Sequence, residues 1–260
     1  MNKITEFGAW AGLAALKSPK KYIALCKSIG LTYIDIMVND GSKPGPFKLY
    51  FKEDELVEKL TQFVNAGIKT YITTWVQPEK SWTDGMAVVG RIASRAKIGR
   101  VTLDSEESYV TPLKNKSDCE IFTWAVGIVG TLRVHFGGKI AVAPIVFCNR
   151  KVLDPIFHMV DIITPQCYST VKNVDGNGPV GRLEKTTASL FRGYGKELVM
   201  GQAAWNIEGA YGLHAPDAIR ASLTSTIQQR IHEVCYWRLE FLSGKILEAI
   251  REFLSTGDNV

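Results

Sequence analysis

The sequence predicts an α/β fold, a single (β/α)8 TIM barrel over residues 1–260, on three observations. The chain has 260 residues, and one closed barrel of eight βα units takes roughly 250. Eight short apolar or β-branched runs recur along it, each followed by enough chain for a loop and a helix, as parallel strands with helical crossovers require. Hydrophobic residues make up 46% and charged residues 22%, the balance of a chain that buries a core. No linker, charge run, low-complexity tract or short internal repeat marks a second domain.

The expected strands are Glu6–Trp10, Thr32–Val38, Thr70–Val76, Arg100–Glu106, Ile140–Val146, Asp161–Tyr168, Glu197–Ala203 and Glu233–Leu239. Between them the 3.6-residue period predicts helices over Ser18–Ile29, Lys52–Ala66, Gly85–Ala96, Ser117–Phe136, Val152–Met159, Gly181–Tyr194, Ala215–His232 and Gly244–Leu254. Ser18-Pro19 reads as a helix start, and Ala66-Gly67 and Phe136-Gly137 as helix ends. Alternation along the strands turns Ile34, Ile36, Val38, Val101 and Leu103 toward the helices. It turns Tyr33, Asp35, Met37, Tyr71, Thr73, Trp75, Thr102, Asp104 and Glu106 into the barrel. Two loops dense in turn formers, Asn39–Pro46 and Asn173–Gly181, follow strands two and six and so belong to the C-terminal face, where barrels carry function.

The chemistry concentrates in Arg100-Val-Thr-Leu-Asp104-Ser-Glu106-Glu107. Positions i and i+2 of a strand share a face, so Asp104 and Glu106 stand roughly 7 Å apart at Cα, close enough for one charge to tune the other's proton affinity. Glu107 points the other way by parity and turns inward only past the strand end. The inward residues at the strand tips are Trp10, Asn39, Trp75, Phe147, Gln166, Tyr168, Gln202, Trp205 and Trp237, with Asp35 one layer deeper. Aromatic walls around carboxylates and amides suit a carbohydrate, whose C–H faces lie on indoles while its hydroxyls need donors and acceptors. The structural alternative is that the tryptophans cap the core and that the acids pair with Arg100 or a nearby lysine.

These residues resemble a known pattern. Leu103-Asp-Ser-Glu106 is similar to the D-x-E end of the fourth strand in family 18 chitinase-like glycosidases and family 25 muramidases. Pro165-Gln-Cys-Tyr168 and Val234-Cys-Tyr-Trp-Arg-Leu239 resemble the tyrosine and tryptophan strands of the chitinase-like family. Gly99, Arg100 and Thr102 stand where further acids precede the D-x-E of chitinases, Tyr71-Ile-Thr-Thr-Trp75 replaces their Ser-x-Gly-Gly strand, and strand one offers Glu6 and Trp10 rather than the muramidase aspartate; the chain reads as a divergent relative. The resemblance implies Glu106 as general acid, Asp104 as the carboxylate that orients and stabilises the substrate acetamido group, Tyr168 as that group's hydrogen-bond partner and Trp237 as a stacking floor. The resemblance also implies substrate-assisted hydrolysis, in which the acetamido oxygen attacks the anomeric carbon. Inward placement at the strand tips adds Trp10, Asp35, Trp75, Gln166, Gln202 and Trp205 as substrate-binding residues, with Glu107 where it turns inward past the strand end.

Other chemistries fit less well. His135, His158, His214 and His232 fall in helices or loops, with no HxH on a strand to hold a metal. No lysine ends an inner strand as a Schiff-base former. The glycine-rich stretch Gly176–Gly181 lacks a phosphate-binding fingerprint. Cys148 and Cys167 have no neighbouring histidine. Five cysteines with no CxxC pair favour a reducing compartment. Net charge is +5 with the basic residues scattered, which leaves nucleic acid without a concentrated footprint. No basic-then-apolar leader opens the chain and no run of 18 apolar residues occurs. The expectation is therefore a cofactor-free glycosidase with a polysaccharide partner, no nucleic acid and no membrane. It would be made in the cytoplasm without a signal peptide and act on cell-wall peptidoglycan after lysis or another release route, as a phage-type endolysin does. A barrel without catalysis that binds glycan or protein through its aromatic cleft is the alternative.

Overall fold

A computed structural model of the chain describes residues 3–41, 43–171 and 180–256. Its strands are β1 (Glu6–Ala11), β2 (Tyr33–Met37), β3 (Lys69–Trp75), β4 (Arg100–Asp104), β5 (Lys139–Ala143), β6 (Ile162–Ile163), β7 (Glu197–Leu198), β8 (Met200–Ala203) and β9 (Glu233–Trp237). All pair in parallel, in the order β7-β6-β5-β4-β3-β2-β1-β9-β8. β7 and β8 are the two halves of the expected seventh strand, parted at Val199. One half pairs with β6 and the other with β9. The amide of Val199 donates to the Ile163 carbonyl and that of Gly201 to Pro165, both at 3.1 Å, carrying the ladder across the seam. The sheet closes on itself with helices outside it, and the fold is the predicted (β/α)8 TIM barrel.

The helices form where the apolar period and the end signals agree. Glu53–Asn65 buries Leu56, Leu60 and Phe63 on one stripe and carries Glu53, Asp54 and Glu55 in its first turn, complementing the helix dipole. Pro19–Ile29 starts with proline at its first position and stops at Gly30, which takes the left-handed conformation (φ 80°) that glycine adopts freely. Ile34, Ile36, Val38, Val101 and Leu103 pack in the outer core with the helices. Tyr33, Trp10, Ala141, Ala143 and Cys235 form a separate inner cluster. The alternation read from the sequence holds on β2 and β4.

Several boundaries move for local reasons. β4 ends at Asp104, because Glu106 is the extended N-cap of an unexpected helix, Glu107–Leu113. β5 ends at Ala143 because Pro144 has no N–H for the ladder, although its carbonyl accepts from Gln166 at 2.8 Å. β6 is two residues long, and Gln166 continues it only as isolated bridges to Ile145 and Gly201. The expected helix Ser117–Phe136 is broken by a π turn at Val126–Gly130. Lys80–Arg95 starts five residues before the expected Gly85, and Leu13–Lys17 is an additional short helix. Of the loop Asn173–Gly181, residues 173–179 lie outside the described residues.

The barrel interior is polar at its base. Arg100, 3% exposed, donates to Glu233 at 2.6 Å, lies 3.9 Å from Asp35 and stacks 4.1 Å from the ring centre of Tyr71. Asp35 also accepts hydrogen bonds from Thr73 (2.6 Å) and Thr102 (2.9 Å). Removing the cation strands two carboxylates in a low-dielectric interior, which costs about 3–5 kcal/mol. Arg100→Met is expected to lower unfolding stability by that amount in urea titrations at neutral pH, and adding Glu233→Gln is expected to recover part of the loss.

Candidate active site

Seven strand exits converge on one cavity of about 250 Å³ at the C-terminal face. Trp75, Asp104 and Ala143 stand level, since Trp75 is the register partner of Asp104 and Asp104 that of Ala143. Trp10 and Trp237, near the ends of β1 and β9, meet edge to face with ring centres 5.9 Å apart; the peptide after Trp237 is cis. Tyr168 and Trp205, from the loops after β6 and β8, make a second edge-to-face pair at 5.0 Å. Thr73, Glu106 and Gln166 complete the lining.

Gln166 joins the two acids. Its Nε2 lies 3.1 Å from Asp104 Oδ1, 3.1 Å from Glu106 Oε1 and 3.3 Å from the Ala143 carbonyl. An amide nitrogen carries two hydrogens, so these acceptors share them. Its Oε1 accepts from the Tyr168 hydroxyl at 2.8 Å. The orientation follows from chemistry, because the Ala143 carbonyl accepts and cannot donate. β4 ends before Glu106, so strand parity does not by itself place that side chain; a shared donor from the segment after β6 bridges the two acids.

The acids hold their protons tightly. Burial raises the proton affinity of Asp104 well above the usual carboxylate range, the charges of Glu106 and Asp35 add to it, and the Gln166 amide opposes it. Burial also raises Glu106, again against Gln166. Like charges this close resist joint ionisation, so the pair titrates as a unit that keeps one proton above the ordinary range. Tyr168 is pushed well above the normal phenol value, by burial first and then by the two acids.

The other expected site residues distribute unevenly. Asp35 is not on the cavity wall; it lies 1% exposed in the layer below, where its charge reaches Asp104. Gln202 faces the opposite way to the expectation. Gly201, not Gln202, is the inward residue of β8, lying so close to Trp10 that an added Cβ would come 3.0 Å from the indole. Gln202 instead donates to Glu184 at 3.2 Å in the helix layer. That buried carboxylate also accepts from Ser222 at 2.7 Å, from the Gly181 amide at 2.9 Å and from Ser169, tying down the residue that follows Tyr168. Phe147 is 65% exposed and outside the cavity. Asn39 braces the wall from behind, accepting from the Trp75 amide at 2.9 Å. The side chain of Glu107 lies outside the described residues. Thr73 and Ala143 also line the cavity, though neither is among the expected strand-tip residues; Thr73 sits on the inward parity of β3. Thr73 accepts from the Trp10 indole at 3.1 Å and fixes that ring. Among the described residues no cluster of three or more His, Cys, Asp or Glu is arranged to hold a metal, and no helix is long and apolar enough to cross a membrane.

No protein-family model matches the chain, and no curated protein matches it in sequence. Solved structures match its fold. A GH18 chitinase from Pseudoalteromonas aurantia aligns with TM-score 0.66 at 12% identity, over 96% of this chain and 100% of that one. The spore cortex-lytic enzyme of Bacillus cereus aligns with TM-score 0.63 at 11% identity, over 100% of this chain and 77% of that one. A xylanase-α-amylase inhibitor protein in complex with trehalose aligns with TM-score 0.63 at 10% identity, over 97% and 98%. At these identities the likeness is one of fold: a TIM barrel resembling several glycoside hydrolase barrels.

The raised affinities predict a pH-dependent stability effect. A carboxyl whose folded-state affinity exceeds its unfolded one contributes stability that is present below the ordinary carboxylate range and lost as pH rises through the folded value. Asp104→Asn is therefore expected to raise Tm at pH 7–8, each kcal/mol appearing as about 2–4 °C, and to have little effect near pH 3. Thermal melts across that range check it, and a gain at acid pH alone contradicts it.

Proposed function

We propose that this protein is a glycoside hydrolase that cleaves β-linked N-acetylhexosamine glycans, with Glu106 as general acid and Asp104 as its partner. One observation carries the reading: two carboxyl groups bridged by Gln166, their proton affinity raised by burial, in an aromatic-walled cavity at the C-terminal face of a barrel. A carboxylic acid that stays protonated near neutrality is the form a general acid needs. Trp10, Trp75, Trp205 and Trp237 offer apolar faces for sugar rings.

In the proposed reaction the acetamido oxygen of the sugar attacks its own anomeric carbon as the bond to the leaving oxygen breaks, and the Glu106 proton passes to that oxygen. With the proton that the pair retains residing on Glu106 when substrate is bound, Asp104 serves as the carboxylate that faces the acetamido N–H and stabilises the positive charge of the cyclic intermediate. Tyr168 turns its hydroxyl from Gln166 to the acetamido group. Water then adds to the anomeric carbon as the bond from that carbon to the acetamido oxygen breaks, which restores the acetamido group, and the water gives a proton to Glu106. Peptidoglycan is the favoured polymer: net charge is +5, which attracts anionic wall polymer, and a cortex-lytic enzyme shares the fold across the whole chain. In this reading the protein is an endolysin-type, cell-wall-lytic enzyme.

The second reading, a barrel that binds glycan without cleaving it, draws on the likeness to the inhibitor protein solved with trehalose. Reducing-end release from peptidoglycan and from N-acetylglucosamine oligomers separates the two. Removing a general acid costs about 10²–10⁴-fold, so Glu106→Gln is expected to lose that much kcat. Wild-type activity is expected to fall as pH rises through the upper titration of the pair. Equal turnover by wild type and Glu106→Gln excludes the assignment, and glycan binding without turnover by wild type selects the second reading.

A further inference from the structure

A second cavity, of about 190 Å³, lies between the exits of β4 and β5. Glu106 lines both this cavity and the tryptophan-walled one and so stands as the partition between them. Ile145 and Phe147 are 41% and 65% exposed there, on the stretch between β5 and the helix Arg150–Met159. Two large apolar side chains beside a carboxyl group give this cavity a face of the kind a sugar ring lies against. Ser105, also in the lining and only 1% exposed, has a hydroxyl with no hydrogen-bond partner among the described residues, a donor left over in the wall. Lys114 supplies a positive charge at the rim.

We propose that this second cavity holds the leaving-group sugar, with Phe147 against its apolar face and Lys114 paired with a carboxylate substituent on it. The preferred substrate is then an anionic amino-sugar polymer, such as the peptide-free glycan strand of peptidoglycan, whose lactyl groups are carboxylates, over a neutral chitin-type chain. The inference rests on the reading of Glu106 as the acid, because a group that protonates a glycosidic oxygen has sugar on both sides of it. The tryptophan-walled cavity takes the sugar whose anomeric carbon reacts. The cavity across Glu106 takes the sugar that departs.

Binding tests this independently of turnover. The probes are the methyl glycoside of N-acetylmuramic acid and its carboxyl-reduced counterpart, titrated by NMR into wild type, Phe147→Ala and Lys114→Met. Both substituted positions are exposed, and circular dichroism verifies that the variants fold. Phe147→Ala is expected to weaken both probes by up to about tenfold. Lys114→Met is expected to weaken only the acid form, by about two- to fivefold. Equal wild-type affinity for the two probes, or no binding of either, overturns the inference, as does unchanged affinity in Phe147→Ala. The expected binding pattern together with no turnover of glycan strands leaves the subsite standing and removes the catalytic reading.

Discussion

Two carboxyl groups answering to one amide donor is the interaction on which the rest of the candidate site depends. Gln166 reaches Asp104 and Glu106 with the same nitrogen while its oxygen holds the Tyr168 hydroxyl. A single neutral amide lowers the proton affinity of the acids less than burial raises it, so the pair stays proton-rich in a cavity closed by aromatic rings. Gln166 owes its position to irregular backbone. β6 lasts two residues, Pro144 breaks the β5 ladder, and Gln166 bridges to Ile145 and Gly201 across that gap.

The barrel distributes charge by depth. Arg100, the cation of the inner layer, is engaged with Glu233 and Asp35 at the base, and among the described residues no cation pairs with Asp104 or Glu106. A salt bridge higher in the barrel would hold these acids ionised and remove the proton that acid chemistry needs. Asp35 links the layers: Thr73 and Thr102 donate to it from the level above, its charge raises Asp104, and Thr73 in turn receives the Trp10 indole. Packing at the base and proton affinity at the rim are thus parts of one polar column.

Much of this was legible in the order of residues, for reasons of periodicity. Strand alternation separates Ile34 and Ile36 from Tyr33 and Asp35, and the barrel keeps that separation. The same rule misplaces Gln202, because β8 turns Gly201 toward Trp10, where any side chain would collide, and so sends its neighbour outward. It also extends β4 too far: a helix start at Glu106 ends the strand, and a short helix with an internal proline, Glu107–Leu113, carries no strong apolar period to announce it.

By itself the sequence determined the count of βα units, the inward parity of most strands and the address of Asp104 and Glu106 at the exit of strand four. These are properties of local spacing, and spacing is written along the chain. The tertiary structure decided what those acids touch. Gln166 lies 62 positions from Asp104 in sequence, Arg100 finds its partner 133 positions away in Glu233, and the second cavity joins residues from two separate exits. Contacts across such separations depend on barrel closure and on where each strand breaks its ladder, which no local pattern records.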